Sequence, residues 1–113
     1  MIILDATNKS LEVLLGGAIT TNQLIWTASY VDVSQSTFAA SAASEADGVT
    51  NNTTAVTMVA APAASVSRQI KFLSVHNADT VAATVTIRIN NGGTFRTVWK
   101  ATLQTLETLQ FVA

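Results

Sequence analysis

The chain has 113 residues, a formal net charge of −1 and no cysteine, and much of its large apolar share is alanine. One domain with a modest core fits that length. The charge balance lacks the basic patch that nucleic acid demands, no apolar run approaches the ~20 residues of a membrane-spanning helix, and disulfides and thiolate metal sites are excluded.

Met1 to Leu4 is apolar but stops at Asp5, far short of a signal-peptide core, so the chain reads as cytosolic in origin. Ile2, Ile3 and Leu4 are large hydrophobes at a terminus, where chains normally fray. Two roles fit them: an arm over residues 1–6 that adds a strand to a neighbour's sheet, or an edge strand of the chain's own sandwich. Leu11 to Leu15, Leu24 to Val33 and Ala55 to Ala60 are strand candidates, punctuated by Gly16-Gly17 and by Pro62. Residues 34–54 interrupt the pattern. Thr37 to Gly48 fits either a short helix closed by Gly48 or part of a long exposed loop, with Phe38 as its only large apolar residue. The N-x-S/T pattern at Asn8, Asn51 and Asn52 follows from a composition rich in Asn and Thr.

The C-terminal half carries the strongest strand signal. Arg68 to His76 has Ile70 and Phe72 on one face and Leu73 and Val75 on the other, which predicts a central strand or one covered by a partner. Asn77-Ala78-Asp79-Thr80 makes a turn. Val85, Ile87 and Ile89 then alternate with Thr84, Thr86 and Arg88, while Phe95, Trp99, Ala101 and Leu103 share a face beyond Asn90-Asn91-Gly92-Gly93. Burying both apolar faces together calls for a three-residue loop over 91–93, with Ile89 opposite Phe95 and Val85 opposite Trp99. The same register sets Arg88 against Arg96, a repulsion of up to about 1 kcal/mol that a bulge, or an acidic partner on this or another subunit, relieves. Leu109 and Phe111 alternate in a last strand. Seven or eight short strands at this spacing predict an all-β fold, a single antiparallel β-sandwich of jelly-roll type.

Chemical equipment is sparse. Ser74, His76 and Asp79 invite comparison with a catalytic triad, but positions 74 and 76 of a strand stand about 6.5 Å apart along it, and no nucleophile elbow accompanies them. They read as a small core residue, a strand-end residue and a turn residue. The acids are scattered; Glu45 and Asp47, with loop carbonyls, come nearest to a calcium site. No cofactor and no enzymatic activity are expected. Trp26 and Tyr30 share a strand face with Ala28 between them, as a core face or a binding ridge would.

Arg68 to Thr80, followed by the Thr/Val strand Ala82 to Ile89, the hairpin and the closing Leu106-Glu107-Thr108-Leu109, resembles small virion proteins of tailed bacteriophages. The similarity runs from about Ala60 to the C terminus and transfers no functional residue. It implies a β-sandwich module of a capsid or tail, nearest to a capsid decoration (cement) protein: on the capsid surface of the virion, assembled in the host cytoplasm, and bound to the major capsid protein or another virion protein. A tail component such as a fibre, baseplate or adaptor module is the first alternative, and a carbohydrate-binding module with exposed Trp26 and Trp99 the second. A homo-oligomer, dimer or trimer, is expected, with contacts through Ile2, Ile3, Leu4, Phe38, Arg88 and Arg96, and with neither nucleic acid nor membrane as partner.

Overall fold

Alternation decides which face of each strand turns inward, and nine strands result. A computed structural model describes residues 1–113 as β1 (Ile2–Leu4), β2 (Lys9–Leu15), β3 (Ile25–Ser34), β4 (Ser44–Val49), β5 (Val56–Val59), β6 (Val66–His76), β7 (Ala83–Asn91), β8 (Thr94–Leu103) and β9 (Thr108–Val112), with no helix. All pairings are antiparallel. One sheet has the order β4-β3-β6, and the far edge of β6 is shared end to end by β1 and β9. The other has the order β5-β2-β7-β8. The two pack face to face on a core of 15 residues. Leu11, Val13, Leu15, Val85 and Ile87 project from the four-stranded sheet, and Trp26, Ala28, Ile70, Leu73 and Val75 from the five-stranded one.

Three bulges set the registers. Ser29 pairs with Phe72 and Tyr30 with Ile70, so Lys71 is an extra residue in β6. The extra residue flips parity, which turns Ile70, Leu73 and Val75 all inward and leaves Phe72 on the outer face. The mixed pattern of β6 therefore comes from a bulge in a central strand and not from two buried faces. Met58 is likewise extra between Thr57 and Val59 in β5.

The third bulge corrects the hairpin. Asn91 pairs with Thr94 across a two-residue Gly92-Gly93 turn, both glycines having positive φ, and Val98 is the extra residue in β8. Ile89 consequently faces Arg96, Arg88 faces Thr97 and Ile87 faces Trp99. Paired glycines supply the left-handed backbone a tight hairpin needs, and the bulge restores odd-with-odd pairing exactly where the core begins to require it. Phe95 leaves the face it was expected to share with Trp99 and lies outward beside Asn90. Arg88 and Arg96 are not opposite one another.

One N-terminal expectation is corrected, and another falls on the second of its two alternatives. Residues 34–54 hold no helix; β4 lies within them, paired to β3 from Ile25↔Val49 to Tyr30↔Ser44. Gly48 is a strand residue there, lying against the Trp26 indole. Ile2–Leu4 is an edge strand of its own sheet, with Ile2 opposite Ile70 and Leu4 opposite Arg68. Leu4 is fully buried and so offers a partner nothing; only Ile3 of this trio turns outward.

Candidate interaction surfaces

At one end of the molecule the β6–β7 turn ties three loops together. The Asn77 side chain donates to the carbonyls of Val81 (3.0 Å) and Leu103 (2.9 Å) and accepts from the Asp79 N–H (2.9 Å). The Asp79 carboxylate accepts backbone N–H groups from Thr20 (2.9 Å), Thr21 (2.7 Å), Asn22 (3.1 Å) and Thr80 (2.9 Å). The Thr105 hydroxyl donates to the Asp79 carbonyl. These donors, the Thr20 N–H foremost, hold the Asp79 carboxyl at about 2 in spite of its burial.

The triad-like set does not assemble. The Asp79 carboxylate is turned to loop N–H groups, and His76 Nδ1 lies 2.8 Å from the Thr108 hydroxyl. Ser74 sits on the outer sheet face and not in the core. Glu45 and Asp47 stand on strand β4, exposed, where the backbone belongs to the β3–β4 ladder instead of an ion-binding loop. Beside Asp79 lies a depression of about 330 Å³ lined by Leu15, the run Gly16 to Ile19, Ala82 to Thr84, and Lys100.

The outer face of the four-stranded sheet carries an ion pair. Arg88 Nε donates to Glu12 Oε2 (2.9 Å), Asn90 Nδ2 donates to Glu12 Oε1 (2.8 Å), and the Arg88 guanidinium lies 3.7 Å from the centre of the Phe95 ring. The acidic partner of Arg88 is thus within the same chain, and Glu12 is only 8 % exposed. Of the two arginines expected at an interface, Arg96 alone is exposed and free of an ion pair. Asp32 takes Arg68 on both carboxylate oxygens (2.8 and 2.9 Å), which lowers its pKa, and Arg68 also stacks on Tyr30.

The outer face of the five-stranded sheet is different in kind. Its rows run Val49–Ile25–His76–Thr108, Asp47–Thr27–Ser74–Gln110 and Glu45–Ser29–Phe72–Val112. Hydroxyls fill the middle, large apolar groups stand at both ends, and acids occur only along β4. Trp26 is buried, and Trp99 is half-buried with its ring 5.2 Å from that of Phe111, so Trp26 forms no exposed ridge for a sugar.

Beyond β3, at the opposite end from Asp79, a tight turn presents Phe38. The Phe38 N–H bonds to the Ser34 carbonyl (2.9 Å), the Ser34 N–H to the Ala39 carbonyl (3.0 Å), and the Ser34 hydroxyl accepts from Ser36 and Thr37. Gln35 anchors the turn to Asp5, Ser65 and Val66. Phe38 has φ 60° and is 78 % exposed. Left-handed backbone costs such a residue roughly 1–2 kcal/mol, and no core contact recovers it. Sequence alone singled out Phe38 by its isolation among small residues; nothing in it announced the strained turn or the Asp79 hub. Comparison with protein-family models, with curated proteins and with solved structures finds no match for this chain.

Proposed function

We propose that the chain is a structural protein of a tailed-phage particle, decorating or cementing the capsid shell through contacts spread over its surface. The outer face of the five-stranded sheet carries this reading. Three adjacent rows made largely of hydroxyl and apolar side chains, with the acids confined to one edge, suit a protein surface better than a solvated one. Repetition of such a module over a lattice makes individually weak contacts adequate. The β2–β3 and β6–β7 segments pair as a ribbon that passes from one sheet to the other, through β2–β7 and β3–β6, which supports a jelly-roll type of wrapping. Quantitative mass spectrometry of purified particles is the test. Copy numbers in the hundreds per particle support head decoration, roughly a dozen points to a tail component, in line with ring symmetry, and absence from the particle overturns both.

A further inference from the structure

We infer that copies of this chain associate head to tail, Phe38 of one copy seating in the Gly16–Ala18 and Ala82–Ala83 depression of another. The knob is prepared for this role. Phe38 is the most exposed of the large apolar side chains, and its turn is already held by backbone and hydroxyl hydrogen bonds. Binding therefore orders little that is not ordered beforehand.

The depression fits the knob in size and chemistry. About 330 Å³ is available, and a void of roughly 150 Å³ suffices for a benzene ring. Glycines and alanines make much of the wall, so few side chains stand in the way, and nothing lies within 4 Å of the position a Gly17 Cβ would take. Leu15 and Ile19 supply apolar contact, Lys100 supplies an ammonium for the ring face, and Asp79, which also lines the depression, keeps its carboxylate on the loop N–H groups. Position makes the contact intermolecular. Phe38 follows the Ser34 end of β3, while Asp79 and the depression lie at the Ile25 end, about 30 Å away along the strand. A knob and a pocket on different surfaces, repeated head to tail, give a heterologous contact, which closes as a ring or runs on as an open filament.

The inference stands apart from any place in a particle, because self-association is read in free solution. Sedimentation velocity on the whole chain from about 10 μM to about 1 mM is expected to show reversible oligomers. Phe38→Asn, which suits left-handed backbone, and Gly17→Leu, which fills the depression, each weaken association at least ~10-fold with thermal melting retained. Ala82→Leu serves where Gly17→Leu disturbs folding. Mixed together, the knob-less and pocket-filled variants regain one-to-one pairs, since one knob and one pocket remain. A wild-type chain monomeric at the highest concentration, oligomers indifferent to both substitutions, or a mixture that fails to pair overturns the proposal.

Discussion

Asp79 is a carboxylate whose charge is met by backbone N–H groups, three of them from a loop 57 to 59 residues away in sequence. Such donors favour the ionised form, and the folded pKa falls from 3.8 to about 2. The unfolded chain then binds the proton more readily in that interval. Stability from this residue is complete above the unfolded value and is lost as pH falls toward about 2. Asp32 acts in the same direction through Arg68, and Asp5, exposed beside Lys9, adds less. Thermal melting should therefore hold steady above about pH 5 and drop below about pH 4. Asp79→Ala should lower Tm by ~10 °C or more at neutral pH, since it strands four N–H groups at once, and should flatten the acid limb of the curve. An unchanged acid limb in the variant would assign the pH dependence to other carboxylates.

Among the elements, β4 shows how a strand can be hidden in its own composition. Ser44–Val49 contains Ala46 and Gly48 at its inward positions, residues with little strand preference, because the large partner comes from β3. The Trp26 indole lies over Gly48, and a Cβ there would meet its Cζ2 at 2.7 Å. Gly48→Ala should cost about 1–3 kcal/mol by overpacking, measured by chemical denaturation, with a shift in tryptophan emission as the indole is displaced. A neutral substitution would mean that β4 moves aside freely. The remaining strands were legible wherever alternation was uninterrupted, as in Val85-Thr86-Ile87 and Leu109-Gln110-Phe111. Misreadings cluster at Lys71 and Val98, where a single extra residue reverses the parity on which face assignment depends. Of the candidate contact residues, Phe38 stood out by its isolation among alanines and serines. The Asp79 hub did not, because hydrogen bonds between loops leave no periodic trace.

At the scale of the whole molecule, extents of 47 × 26 × 17 Å make this a slender sandwich whose sheet edges are all close to solvent. Most free edges are guarded: β1 and β5 are short, β4 carries Glu45 and Asp47, and β8 is bulged and carries Arg96 and Lys100, whereas β9, which shares an edge with β1, carries no charge. Those are the usual defences against uncontrolled strand pairing. They turn association away from those edges. With only 15 buried core residues and a total stability expected at about 5–15 kcal/mol, each large core side chain is a substantial share of the whole. Leu4 is fully buried, whereas its neighbour Ile3 is 47 % exposed on the outer face. Leu4→Ala should therefore cost about 2–5 kcal/mol, enough to bring the chain near its folding threshold. Ile3→Ala should stay within about 0.5 kcal/mol. Chemical denaturation of the two variants checks this. Equal, small losses would mean that Ile2–Leu4 is a detachable arm, and a large loss for Leu4 alone means that the N-terminal strand closes the core.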